Sequence, residues 1–298
     1  MVEAQIVETD AANSLYWLPK HRADAMSVKG KLQMKEIGLF SMVEFLELLL
    51  DAKKDVERCF TKDGPNGLPY SRFANFYPML DKISTAVYSG QLLKKMIPNF
   101  YAGLKEQLEA GISHLDVACG SGIVSRLLGA AFPKSQFTGV DISSEAIEMG
   151  REQVAEAALT NVELRTADAS SINVEWSDKF DWVSVFLSLH DFNHPWKALD
   201  EAYRVLRPGG RLTVLEHWGH TNALYNRINP EKKIERVISL YHCVPVAMSE
   251  EGGAGLGTAA GLQFVSKLVQ NAGFTLVSAA VGPTGIEGAN VIVAEKPV

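Results

Sequence analysis

The 298-residue chain has few cysteines, little excess charge and no long apolar run. Its three cysteines, Cys59, Cys119 and Cys243, are odd in number and far apart. That excludes a disulfide framework and a close-spaced zinc motif, and it fits a reducing, cytoplasmic location with no metal expected. Basic residues number 29 against 35 acidic ones, a net charge of −6. A mildly acidic chain is a poor match to a polyanion, so no nucleic-acid partner is expected. The apolar run Met42 to Leu50 is broken by Glu44 and Glu47, far short of the roughly 20 apolar residues of a membrane span. Met1 to Asp10 is polar and acidic, unlike a secretory or transit segment. Repeats and low-complexity stretches are absent. With 47% hydrophobic and 21% charged residues, the chain is an ordinary globule with one core domain, or a core domain and a smaller cap.

What is present divides by texture. Residues 1–110 read as a helical cap, which could serve as a lid or pair two chains into a homodimer. Ile37, Phe40, Val43, Phe45, Leu46, Leu49 and Leu50 share an apolar face at helical spacing. A turn at Gly64-Pro65-Asn66-Gly67 follows. Phe73, Phe76, Tyr77, Leu80, Ile83, Val87 and Tyr88 then recur at steps of three and four. The aromatics among them read first as core. A third helical stretch, Leu92 to Leu108, should bend or restart at Pro98. From Ile112 short apolar runs alternate with amphipathic segments. Strands are expected at 112–117, 137–140, 162–166, 180–187 and 211–215, with helices between them. This is an α/β pattern with a mostly parallel sheet. Residues 219–261 interrupt the rhythm with an insert, helical over 231–241 and glycine-rich over 252–261, of the length used for lids. A helix over 263–272 and two strands, 275–281 and 290–294, complete the 111–298 domain. The short turn at Gly282-Pro283-Thr284-Gly285 makes those strands an antiparallel hairpin at the sheet edge.

The most informative stretch is Leu115-Asp116-Val117-Ala118-Cys119-Gly120-Ser121-Gly122, between an expected strand and an expected helix. Small residues at 118, 120 and 122 allow a sharp turn and a close approach to a ligand. Asp141 ends the next strand, where a carboxylate can accept both hydroxyls of a ribose. Asp168 ends the third and is placed to receive an adenine amino group. Asp116, beside the loop, would repel a pyrophosphate but suits an ammonium group or a cation. The sixth position of a dinucleotide loop would fall on Val124 or Ser125, neither of them glycine, which argues against NAD.

In these motifs the chain resembles the class I S-adenosylmethionine-dependent methyltransferases. Leu115 to Gly122 matches that family's first motif, with Ala118 where a glycine usually stands. Asp141 resembles the ribose-binding acid, Ile142 the apolar residue flanking adenine, and Asp168, with Ala169, the adenine-binding segment. Val205-Leu206-Arg207-Pro208-Gly209-Gly210-Arg211-Leu212 matches the turn before the fifth strand. The resemblance implies a Rossmann-like, seven-stranded, mostly parallel sheet with an antiparallel last strand. It implies S-adenosyl-L-methionine as cofactor, leaving as S-adenosyl-L-homocysteine, with Phe186, Leu187 and Tyr77 also against the donor. Phe186 to Glu216 resembles both the quinone C-methyltransferases and the small-molecule O-methyltransferases, whose histidine-aspartate-tryptophan motif looks like His190-Asp191-Phe192. The segment from Tyr241 to Phe274 also looks like a group that carries an N-terminal winged helix. No such pattern precedes Tyr16, so a DNA-binding role is not carried over.

Methyl transfer from a sulfonium is an in-line displacement that needs positioning and exclusion of water. A neutral hydroxyl acceptor also gains from a base. His190 is the candidate base, since an imidazole can take a proton near neutrality. Its other reading is a histidine that shapes the pocket floor. His194 reads as a helix-start residue rather than a metal partner of His190. Tyr88, Glu216, His217, Trp218, His220 and Tyr241 are the candidate acceptor contacts. Cys119 reads as a small filler, and His21 and His114 have no assigned role. The expected function is methyl transfer to a small, largely apolar acceptor, with O-methylation by His190 favoured. The alternatives are C-methylation of a quinone- or lipid-like acceptor and a non-catalytic donor-binding sensor.

Overall fold

Short, nearly continuous apolar runs in the central strands give this chain a sheet with two buried faces. A computed structural model describes residues 7–10, 12, 15–21, 39–226, 233–282 and 289–298. The strands of this sheet are β1 (Ser113–Val117), β2 (Gln136–Asp141), β3 (Val162–Thr166), β4 (Phe180–Phe186), β5 (Leu206–Glu216), β6 (Thr275–Val281) and β7 (Asn290–Glu295); within the region expected to be helical, Glu8–Thr9 and Tyr16–Trp17 instead pair as a separate antiparallel ribbon. The spatial order in the sheet is β3-β2-β1-β4-β5-β7-β6. β7, between β5 and β6, runs antiparallel to both, opposite in direction to the other six strands. The antiparallel last strand is therefore inserted in the sheet, and β6 forms the edge. Strand order reverses between β1 and β4, which opens a ligand crevice at the carboxyl ends of the strands. β5 begins five residues before its expected start. The Pro208-Gly209-Gly210 turn lies inside it as a bulge, because the ladder steps from Leu206 to Arg211 across a single residue of β4, with Gly209 at φ +76°.

The N-terminal helices are α1 (Leu39–Asp51), α2 (Lys53–Cys59), α3 (Tyr77–Gln91), α4 (Ile97–Phe100) and α5 (Leu104–Ala110). The expected break at Pro98 is there: a π-helical turn over Leu92–Met96 precedes α4, and the chain is extended at Tyr101. Crossovers use α6 (Ile123–Ala131), α7 (Ser144–Glu156) and α8 (Pro195–Val205). The insert holds α9 (Ala223–Asn226), α10 (Lys233–Tyr241) and α11 (Cys243–Ala247), and α12 (Leu262–Asn271) leads to β6. Sequence periodicity missed α11, a five-residue helix with Pro245 at its centre.

One face of the sheet, with Trp182, Phe186, Leu215 and Val293, packs on Leu92, Met96, Phe100, Leu104 and Leu128. The other, with Leu115, Val183, Val185, Val214 and Ile292, packs on Leu199, Val205, Val265 and Val269. Packing thus crosses the texture boundary near 110. A third core joins the start of the chain to the insert: Phe45, Leu49, Phe73 and Phe76 surround Val246. Gly67 makes that junction possible, since a Cβ there would stand 2.1 Å from the Pro245 carbonyl, and the Leu68 N–H donates to that carbonyl at 2.8 Å. The turn residues Pro283 to Gly285 and the start of the first apolar face at Ile37 lie outside the described residues. Among the described residues no helix is long and apolar enough to cross a membrane.

Candidate active site

The loop after β1 turns on three residues with positive φ: Ala118 (+56°), Gly120 (+56°) and Gly122 (+72°). A Cβ on Gly122 would meet Leu164 at 2.6 Å, whereas one on Gly120 would have nothing within 4 Å. Gly122 therefore serves packing, and Gly120 keeps the loop open to the crevice. The two glycines look alike in sequence but do different work.

Asp141 ties this loop to β2. Its carboxylate accepts the Gly120 N–H at 2.7 Å and the Ser143 N–H at 2.9 Å. Burial pushes its pKa up against the opposing pull of those N–H groups. Ser143 in turn caps α7, accepting from the Ala146 N–H at 3.1 Å. Tyr77 reaches the same corner, with its hydroxyl bonded to Ser143 and its pKa raised by burial to about 12. Ser121 donates to Asp81, a contact the sequence did not suggest. Asp168, after β3, accepts the Ser170 N–H and hydroxyl, both at 2.8 Å.

Asp116 and His114 share one sheet face, two residues apart. Register places Ser184 opposite Asp116 and Trp182 opposite His114. The Ser184 hydroxyl donates to Asp116 at 2.8 Å and lies 2.9 Å from His114 Nε2. Burial raises the Asp116 pKa to about 7. It lowers that of His114, stacked on Trp182 at 4.1 Å, to about 3. His114 is thus a neutral donor to Ser184, a structural role behind the site.

The floor is built after β4 and β5. His190, 4% exposed, points Nδ1 at Glu216 Oε2, 2.6 Å away. Its own N–H also donates to Glu216, at 3.2 Å. Nε2 lies 3.3 Å from Asp191 Oδ1, and the Cys243 thiol is within hydrogen-bonding reach of both side chains. Burial alone would lower the imidazole pKa, but the Glu216 and Asp191 carboxylates outweigh it and hold the proton well above the usual range. Burial pushes the Cys243 thiol up to about 12. The next residue toward the N-terminus, His242, stacks on Phe76 at 5.0 Å and is kept neutral by burial.

These groups face one cavity of about 1010 Å³, at the top of the usual range of about 300–1,000 Å³ for small-molecule sites. Every expected cofactor residue except Gly122 lines it: Asp116, Ala118, Gly120, Ser121, Asp141, Ile142, Asp168, Ala169, Phe186, Leu187 and Tyr77. So do His190, Tyr88 and His217. Glu216 stands behind His190 rather than on the wall. Trp218, His220 and Tyr241 are off the wall too: His220 accepts the Asn222 N–H at 2.9 Å, and Tyr241 packs against the third core. His194 starts α8 and pairs with Glu250 at 3.3 Å. Sequence reasoning missed Tyr70, Asp191 and Cys243, which line the wall together with His242 of the insert. The adjacent His242-Cys243 pair was the available signal.

A strand-switch crevice lined by a glycine loop and three strand-end carboxylates defines a Rossmann-like cofactor-binding domain. Residues 115–214, a third of the chain, match the family described as "Methyltransferase domain", and in fold and motifs the chain is similar to the class I methyltransferases. It is 34% identical over 111 residues to a demethylmenaquinone methyltransferase of Listeria monocytogenes, covering 37% of this chain and 46% of that protein. The chain thus spans about half the length of the curated relatives it matches. Over 99% of its length it superposes on an O-methyltransferase family protein from Burkholderia thailandensis, covering 81% of that chain with TM-score 0.71 and 13% identity. Human N-acetylserotonin methyltransferase, solved with S-adenosylmethionine, matches over the full chain and 81% of its own, with TM-score 0.62 and 16% identity. At these identities the structural matches speak for the fold.

Proposed function

We propose that the protein transfers a methyl group from S-adenosylmethionine to an oxygen of a small, largely apolar acceptor. The observation that carries this reading is the single cavity shared by the loop carboxylates and the His190 floor. Asp116 suits the donor's ammonium group, Asp141 its ribose hydroxyls and Asp168 its adenine amine. The remaining wall, with Phe76, Leu80, Ile83, Val87, Ile238 and Val246, suits an apolar acceptor. The acceptor's proton goes to the cluster of His190, Asp191 and Glu216: the carboxylates keep the His190 imidazole protonated, so His190 orients the reacting oxygen and Asp191, whose Oδ1 has no hydrogen-bond partner, takes up the proton. The N-terminal helices and the insert act as the lid that excludes water. C-methylation of a quinone-like acceptor is the second reading, supported by the likeness to the Listeria demethylmenaquinone methyltransferase. The test is incubation with labelled donor and a metabolite extract, followed by identification of the labelled product. Label in a methyl ether supports O-methylation, and label on ring carbon supports the second reading. His190→Ala should lower turnover by about 10²–10⁴-fold; unchanged turnover on the identified acceptor would remove His190 from the chemistry.

A further inference from the structure

We propose that His190 Nε2, the Asp191 carboxylate and Cys243 Sγ form a binding site for one divalent first-row transition cation of the zinc type, open to the acceptor side of the cavity. The ligand atoms of these three residues lie within 4.8 Å of one another. They come from two segments more than 50 residues apart, brought together where α11 packs on the turn after β4. The Nε2–Oδ1 separation of 3.3 Å equals the edge of a tetrahedron with bonds of about 2.0 Å, the length zinc makes to nitrogen and oxygen.

Three further features favour a ligand set over the hydrogen bonds that Cys243 can make to His190 and Asp191. Asp191 Oδ1 is buried and receives no hydrogen bond, although Nε2 stands 3.3 Å away. The adjoining His242 Nε2 is also buried without a partner, on the wall of the same cavity. Glu216 holds Nδ1 at 2.6 Å, the carboxylate–histidine support that fixes a metal-bound imidazole and leaves Nε2 for the metal. One nitrogen, one oxygen and one sulfur donor select a borderline-soft cation over magnesium or calcium. Three protein ligands beside an open cavity match a catalytic rather than a closed structural site.

Binding displaces the imidazole and thiol protons, so His190 becomes a neutral ligand and Cys243 a thiolate. The role of the cation rests on the methyl-transfer reading above. The acceptor hydroxyl takes the open position, its pKa falls, and its proton leaves to solvent before the lid closes. An oxygen lone pair then forms the bond to the methyl carbon. The carbon–sulfur bond breaks with its electron pair on sulfur, and a neutral thioether departs. In the loaded site the cation, rather than a free imidazole base, activates the acceptor.

The test is titration of the full chain, first stripped with a chelator, with Co²⁺ followed by absorption. One equivalent should give the d–d bands of four-coordinate Co²⁺ and a thiolate-to-cobalt band in the near ultraviolet, both abolished by Zn²⁺. Cys243→Ser should lose the thiolate band, Cys59→Ser should keep it, and His190→Gln should weaken binding at least ten-fold. Should Cys243→Ser fail to fold, X-ray absorption of the zinc-loaded wild type decides: one sulfur neighbour at about 2.3 Å supports the site, and an all-nitrogen/oxygen shell overturns it. Absence of stoichiometric binding, or d–d bands without a thiolate band, overturns it equally. A thiolate-bound cation in a protein with no methyl transfer keeps the site and removes the methyl-transfer reading. Chelator-resistant transfer without cation binding does the reverse.

Discussion

Nδ1 of His190 lies 2.6 Å from Oε2 of Glu216, joining the turn after β4 to the last residue of β5. The two neighbouring strands thereby fix one imidazole with its other nitrogen turned toward Asp191 and Cys243. Because Glu216 is buried behind the ring, it sets orientation and charge and does not meet the acceptor. Removing only this carboxylate leaves a buried histidine without its partner. Glu216→Gln should therefore reduce turnover by at least ten-fold while leaving donor affinity unchanged, since the donor corner is built on Asp116 and Asp141. Steady-state kinetics paired with calorimetry of donor binding checks this split.

Asp116 should give donor binding a pH dependence. Its pKa is about 7, raised first by burial and opposed by the Ser184 hydroxyl. Asp141, the Cys119 thiol and the Tyr88 hydroxyl also face this region. Protonation below pH 7 removes the charge that would pair with the donor's ammonium group. Affinity for S-adenosylmethionine should therefore fall as pH drops from 8 to 6, approaching about ten-fold per unit at the acid end. In Asp116→Asn affinity should be low and nearly flat across that range. Calorimetric titration at several pH values distinguishes the two profiles.

His114 should make the fold acid-sensitive on its own account. Burial depresses its pKa from 6.5 to about 3, so the unfolded chain binds a proton below pH 6.5 that the folded chain refuses. Stability from this group is complete above pH 6.5 and is lost as pH falls toward 3, at up to about 1.4 kcal/mol per unit. His114→Gln keeps a donor for Ser184 but does not titrate. Denaturant unfolding of this variant should show a shallower loss of stability between pH 6.5 and 4 than the wild type.

Gly120 and Gly122 should separate binding from stability. Both have positive φ, so alanine costs about 1 kcal/mol of backbone strain at either. At Gly122 the new Cβ also presses on Leu164 at 2.6 Å, while at Gly120 it enters open space. Gly122→Ala should lower the Tm more than Gly120→Ala. Gly120→Ala should weaken donor binding with only a small change in Tm.

The glycine-loop half of the cavity was readable in the sequence because each part is local. A strand, a turn and the acid at its end lie within a few residues, so Leu115 to Gly122, Asp141 and Asp168 carry their geometry with them. The strands and helices of the sheet were readable for the same reason, and the antiparallel last strand followed from the resemblance, but its insertion between β5 and β6 was not read. The half built around His190 was not. Its floor joins Asp191, Glu216 and Cys243 across the packing of α11 on the turn after β4, and no local pattern records that contact. Trp218, His220 and Tyr241 were attractive because they follow β5 or sit in the insert. The chain turns away after His217, where Asn290 Nδ2 holds the His217 carbonyl at 3.1 Å.

The central claim is that one cavity brings a sulfonium donor to an acceptor oxygen over the His190 floor. Product analysis after incubation of the purified chain with methyl-labelled S-adenosylmethionine and a fractionated extract tests it most directly. The account predicts a labelled methyl ether of an apolar small molecule, with one S-adenosylhomocysteine formed for each label transferred, and loss of both in Asp141→Ala. Donor binding of normal affinity with no labelled product from any fraction would contradict it.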